Sequence, residues 1–233
     1  MTKTPDEREH GLDLLRASAI LLVLFYHSAD LPTPPEAIAE VLRFGWMGVD
    51  LFFVLSGFLI GRQVFATPAG VPATSKLRTF WIKRWFRTLP LYYVVLLAYF
   101  AKPFVFHVPF KGEAWRFLTF TQNFAPLTDF IPSWSLCVEE QFYLGFPIVA
   151  FVLLARQRVG AWFWLVPLVA SVVFRYVVWA GAQPEGVTYE TWGDKILWVT
   201  YTHLDGISVG VFLAATERSW SRWSAGARGL AAF

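Results

Sequence analysis

The chain has 233 residues, of which 56% are apolar, 18% aromatic and only 16% charged, and its mean hydropathy is +0.46. That balance excludes a soluble domain of ordinary composition and points to a membrane protein. Its formal charge is +3, and the one cysteine, Cys137, excludes an internal disulfide.

A hydrocarbon core of about 30 Å takes roughly 20 helical residues to cross, and six apolar stretches come close to that length. In chain order the predicted spans run from Leu12 to Ala29, Phe44 to Ala66, Leu89 to Val108, Trp134 to Ala155, Trp162 to Ala180 and Ile196 to Thr216. Backbone groups in lipid must be satisfied within their own segment, and the period-2 alternation of a barrel is absent. The expected fold class is therefore an all-α, polytopic transmembrane helical bundle of about six spans, read as a single domain over residues 1–233. The first stretch is preceded by "PDEREH" and followed by no small-residue cleavage pattern, which predicts a retained helix.

With the N-terminus in the cytoplasm, thirteen of the 20 Lys and Arg residues fall in inner segments and five in outer ones, while Arg16 and Arg175 lie within spans. The positive-inside rule then predicts a cytoplasmic N-terminus in the plasma (inner) membrane. This orientation puts His27 near the outward end of the first span, Asp50 in the outer part of the second, Glu139 and Glu140 in that of the fourth, and His203 and Asp205 somewhat deeper in the sixth. Ionisable groups in spans face cavities and pair with one another, so a polar chamber is expected in the outer half.

Arg16 and His27 are eleven residues apart, which leaves them about 20° from whole turns and on one helix face, roughly 16 Å apart along the axis. Asp13 is placed to pair with Arg16. The stretch "KLRTFWIKRWFRTLP" holds Lys76, Arg78, Lys83, Arg84 and Arg87 among Trp81, Trp85 and Phe86. Arg84 and Arg87, three apart on a helix, share a face, and guanidinium forks suit phosphate. The pairs Gly57/Gly61 and Gly206/Gly210 read as helix-packing motifs, and Gln122 and Asn123 as part of an outer surface loop, with contact to an acceptor as the alternative.

The stretches "GLDLLRASAILLVLFYHSAD", "GWMGVDLFFVLSGFLIGRQ", "FWIKRWFRTLPLYY", "PSWSLCVEEQFYLGFP" and "THLDGISVGVFLA" resemble, in order, the signatures of the acyltransferase 3 family. These are integral-membrane enzymes that O-acylate, most often O-acetylate, carbohydrates and other hydroxylated molecules. The resemblance runs from Gly11 to about Ala214. It implies that the arginine and histidine spaced by ten residues are Arg16 and His27, with His27 the catalytic base. It places the donor-binding arginines at Arg84 and Arg87, after Phe80 and before Pro90, with acetyl-CoA or another acyl-CoA as donor. The double-glutamate motif falls on Trp134 through Glu140, and the sixth-span motif on His203, Asp205 and Gly206, with Leu204 where the family often has a basic residue. Relatives resemble bundles of about ten spans, which at about 20 residues each need more chain than ends at Phe233, so the final spans are expected to be missing.

Moving an acyl group from a thioester to a sugar hydroxyl needs a base that takes the hydroxyl proton as its oxygen attacks, and an imidazole suits this near neutral pH. His27 fits, with Glu139 or Glu140 accepting from its other ring nitrogen to hold the tautomer. Adjacent helical residues differ by 100°, so one glutamate is expected to face His27 while the other meets a cation or the acceptor. CoA phosphates would rest on Arg84 and Arg87, with the acyl end reaching His27 along the face of Arg16. The expected partners are membrane lipid and a carbohydrate or other hydroxylated acceptor, with no nucleic acid and no metal.

Each signal also has a packing explanation. His27 lies in the last turn before Pro32, where a cation complements the helix dipole, and the glutamates follow Pro132 and Ser133 near a helix start, where anions are favoured. The basic cluster satisfies membrane topology and anionic-lipid contact, and Asp50 and Asp205 can pair between helices. The competing classes are a transporter or flippase using the same intramembrane charges, and an inactive fragment.

Overall fold

The computed structural model describes residues 10–28, 36–67, 70–127, 129–153, 160–182, 186, 188 and 192–230, with side chains for all of these except 152, 153 and 218–230. Lys3, Arg8, Ala29, Pro32, Arg156 and Arg158, the end of the expected fourth span, and the side chains of Arg218, Arg222 and Arg228 lie outside that description. The helices are α1 (His10–Ser28), α2 (Glu36–Arg43), α3 (Met47–Phe65), α4 (Ala73–Val105), α5 (Ala114–Leu118), α6 (Trp134–Ile148), α7 (Val166–Ala182) and α8 (Leu204–Leu230). No strand occurs among the described residues.

Four helical segments are long and apolar enough to cross a membrane: α1, the continuous run from α2 through α3 (Glu36–Phe65), α4, and Ala161–Ala182 ending in α7. The chain is an integral membrane protein, and its polarity is that of a protein in lipid. Leu91, Val94 and Leu97 of α4 and Val169, Val172 and Val173 of α7 point outward, while Ser56, Glu140, Gln122, Asn123 and Thr202 are buried. In hydrocarbon only the interior offers hydrogen-bond partners.

Three expected boundaries move. The basic stretch and the third span form one helix, since α4 starts at Ala73 and runs unbroken through Pro90 and Pro103. In the fourth, α6 ends at Ile148 just after Pro147 and gives way to a π turn over Val149–Leu153. The expected sixth span starts late: a π turn (Gly193–Leu197) and a 3₁₀ turn (Thr200–Thr202) precede α8. Thr202 Oγ1 reaches the carbonyls of Ile196 and Val199, both at 2.6 Å, so a side chain takes the acceptors that a continuing helix would need.

Contacts set the helix directions. Ser56 and Phe53 of α3 meet Glu139 and Trp134 of α6, so α3 and α6 run parallel. Trp81 and Thr88 of α4 meet Tyr143 and Glu140, so α4 is antiparallel to α6. Trp164 and Arg175 meet Ser208 and Asp205, making α7 antiparallel to α8, and Ala19 and Leu22 of α1 meet Gly48 and Gly45 in reverse order. Helices α1, α4 and α7 therefore run one way and α3, α6 and α8 the other.

The parallel pair α3 and α8 is in backbone contact through both small-residue motifs. A Cβ on Gly57 would lie 2.0 Å from the Ile207 carbonyl oxygen, and one on Gly210 would lie 2.1 Å from that of Val54. This is the close approach that paired glycines permit. Because the obstacle is backbone, it cannot rotate aside. Gly57→Ala is expected to lower stability by about 2 kcal/mol or more, read as a drop in the thermal midpoint of the detergent-solubilised protein; an unchanged midpoint would show that the helices are not in contact there.

Above the ends of α4 and α6, the segment from α5 to Ser133 is pinned, not loose. Gln122 and Asn123 are 2% and 1% exposed, against the expected surface position. Asn123 donates to Thr200 Oγ1 at 2.8 Å, and Gln141 donates to Asn123 Oδ1 at 3.0 Å. Asp129 is buried, accepting from Lys102 Nζ and the backbone N–H of Lys111. Burial raises the Asp129 pKa, but these two bonds and the two lysine charges outweigh it, and the carboxyl sits below its ordinary value of 3.8. A depressed carboxylate stabilises the fold fully above its unfolded pKa and loses that contribution as pH falls through the folded one. The thermal midpoint is thus expected to fall as pH drops below 3.8, and Asp129→Asn to remove that part of the pH dependence.

Candidate active site

The polar interior is assembled where α3, α4 and α6 meet. On α6, residues 139, 140 and 143 lie within little more than one turn, so Glu139 and Tyr143 project toward α3 while Glu140 turns toward α4. Arg84 Nη2 donates to Tyr143 OH at 2.9 Å, Tyr143 OH donates to Ser56 Oγ at 3.1 Å, and Ser56 Oγ donates to Glu139. Thr88 Oγ1 donates to Glu140 Oε1 at 2.7 Å, and Trp81 Nε1 donates to the Tyr143 carbonyl at 3.0 Å. The Arg84 guanidinium also lies over the Tyr143 ring, 4.3 Å from its centroid. Glu139 is thus joined to the Arg84 guanidinium through a phenol and a serine hydroxyl, and Glu140 feels the same cation without a bond to it.

Arg84 Nε is buried without a partner, so this donor is left for something other than the described protein. Arg87, one turn on, is exposed yet close enough to act on Glu139 electrostatically. The two arginines that share a face by spacing therefore divide, one packed into the bundle and one at its surface. Trp81 and Trp85 stack 6.0 Å apart beside them.

His27 is elsewhere. It is exposed on α1, its ring edge-on to Tyr26 at 5.3 Å, and it makes no hydrogen bond to either glutamate among the described residues. The expected imidazole–carboxylate pair is not formed, and the reason is packing. Helix α1 lies against α3, α2 and the 44–46 turn, with Ala19 buried and Gly45 close under the Leu22 carbonyl, and this fixes its rotation with His27 outward. The expected Asp13–Arg16 pair is present at 2.9 Å, at a partly exposed position one end of the helix away.

Asp50, His203 and Asp205 do come together. Arg175 of α7 donates to Asp205, Asp50 lies within electrostatic reach of both, and the His203 ring contacts Trp134 at 5.0 Å and Phe53 at 6.1 Å. This cluster is at the starts of α3, α6 and α8, about one turn from the Ser56–Glu139 bond. Sequence reading passed over Ser56, Thr88 and Tyr143, whose hydroxyls carry the network; an apolar helix bearing a lone hydroxyl at the level of an intramembrane charge is the signal that marks them. No three or more His, Cys, Asp or Glu side chains among the described residues are grouped to hold a metal ion.

Comparison with known proteins is consistent across the chain. A Staphylococcus aureus protein provisionally named an O-acetyltransferase is 29% identical over 226 residues, covering 88% of this chain and 34% of its own length. A Bacillus subtilis protein provisionally named a peptidoglycan O-acetyltransferase is 31% identical over 209 residues, covering 78% of this chain and 30% of its own. The peptidoglycan O-acetyltransferase OatA of Listeria monocytogenes is 30% identical over 209 residues, covering 78% and 31%. The chain spans about a third of the length of the curated relatives it matches. No solved structure matches it. The acyltransferase domain family (Acyl_transf_3) matches residues 9–233, and the chain belongs to the acyltransferase 3 family.

Proposed function

We propose that this chain forms the membrane part of an O-acyltransferase that moves an acetyl group from acetyl-CoA to a hydroxyl of a cell-envelope glycan. The observation that carries the reading is the Arg84–Tyr143–Ser56–Glu139 chain, which places a guanidinium with a spare buried N–H next to the exposed Arg87 and the stacked Trp81 and Trp85. Phosphates favour such a pair of forks, and stacked indoles offer a flat surface to a nucleotide base. A peptidoglycan acceptor is supported by the names of two relatives.

Alternating helix directions support six crossings: α3 and α8 are parallel, which requires an odd number of crossings between them, supplied by α4, α6 and α7. With the N-terminus cytoplasmic, the donor arginines then lie toward the inner face, and His27, Asp50 and His203 toward the outer one. His27 is the base that takes the acceptor's proton, exposed at that outer end and oriented without a glutamate. Membranes holding the chain, supplied with acetyl-labelled acetyl-CoA and a panel of glycans, should transfer label to glycan. Substrate movement across the membrane with no acetyl-CoA consumed would establish the transporter reading instead.

A further inference from the structure

Four buried side-chain atoms among the described residues lack a hydrogen-bond partner: Arg84 Nε, Gln122 Oε1, Ser171 Oγ and His203 Nε2. Of these only His203 Nε2 belongs to an imidazole, and its surroundings differ from those of the Arg84 network. His203 stands between the Thr200–Thr202 turn and α8, its ring set against Trp134 and Phe53. The ring also interacts with the backbone carbonyl of Leu197. A neutral imidazole that carries its proton on Nδ1 presents a lone pair at Nε2. A buried acceptor left unmade is costly unless something fills it.

The charged groups facing this ring come from three helices. Asp205 on α8 is taken by Arg175 of α7. Asp50 on α3 feels both but accepts no hydrogen bond from a described residue, and it lies beside Gly206, whose Cβ would be 3.5 Å from the Asp50 carbonyl oxygen. Asp50, Trp134, His203 and Asp205 are all half-buried, so the cluster keeps exposed surface around the buried Nε2. An indole with a neutral imidazole acceptor and an uncommitted carboxylate is the chemistry that recognises a sugar ring: apolar C–H surface on the aromatic, hydroxyl donors to the acceptors.

We propose that Trp134, His203 and Asp50 form a binding site for a sugar ring of the acceptor, with one ring hydroxyl donating to His203 Nε2 and a second to Asp50. The site rests on the reading that the acceptor is a hydroxylated glycan, and it makes His203 a specificity residue separate from His27. Equilibrium binding of a labelled N-acetylglucosamine tetramer to the detergent-purified chain, without acetyl-CoA, tests it apart from the transfer reaction. His203→Asn keeps a donor where Nδ1 stands but deletes the Nε2 acceptor, and is expected to weaken binding tenfold or more. His203→Gln restores a polar atom near the Nε2 position and is expected to bind within about threefold of the wild type, while Asp50→Asn weakens binding severalfold. Wild-type affinity in both His203→Asn and Asp50→Asn, equal losses in His203→Asn and His203→Gln, or no binding by the wild type overturns the site. Binding that follows the expected order in a chain that transfers no acetyl group upholds the site and removes the acyltransferase reading alone.

Discussion

Replacing His27 by alanine is expected to lower acetyl transfer by about 10²–10⁴-fold, the range that a positioned general base contributes, while leaving the fold nearly as stable as before. Both halves follow from position. His27 is exposed on α1 and touches Tyr26 through a single ring contact, and surface substitutions of this kind stay within about 0.5 kcal/mol. Since neither glutamate is bonded to it, Glu139→Gln should act through Ser56, Tyr143 and Arg84 and not through the imidazole. The pH dependence of transfer in Glu139→Gln should therefore keep the wild-type midpoint even if the rate falls. Transfer by His27→Ala within threefold of the wild type would falsify the base assignment.

Arg84→Ala should produce the second large effect, and in two measurements at once. The guanidinium bonds Tyr143, stacks on its ring, and acts electrostatically on both glutamates. Removing it deletes the charge-assisted bond to Tyr143 and the cation whose field both glutamates feel, which is expected to cost about 1.5–3 kcal/mol. It also deletes the spare Nε–H, so acetyl-CoA affinity, read by calorimetry in detergent, is expected to fall at least tenfold. Arg87→Ala provides the contrast: Arg87 is exposed, so donor affinity falls but the thermal midpoint hardly moves. Arg84→Lys keeps the charge without the planar fork and should recover stability better than donor binding. An Arg84→Ala protein as stable as the wild type would mean that the network is not held by this charge.

Much of this was legible in the residues because membranes impose simple rules. Long apolar runs, Lys and Arg bias, and intramembrane charge each have one dominant physical cause, so α1, α3 and α7 fall close to where the spans were expected, and α4 contains most of its expected span. The glycine pairs 57/61 and 206/210 were read as packing motifs, and they face one another across α3 and α8. Boundaries were harder to read where polar side chains compete with the backbone, as Thr202 does before α8. Gln122 and Asn123, polar and near two prolines, look like loop surface in one dimension; their burial depends on Gln141 and Thr200 arriving from elsewhere in the chain.

What the sequence determined by itself is the class of protein, the direction of its charge asymmetry, and which candidate residues share a face of one helix, because each depends on composition or on spacing along one helix. The tertiary structure alone decided which of those residues meet. Helical periodicity sets a side chain's angle relative to its own helix, but the rotation of the helix in the bundle is set by contacts such as Ala19 against Gly48 and Gly57 against Ile207. Those contacts turn His27 outward, bring Glu139 to Ser56, and leave His203 with an open nitrogen.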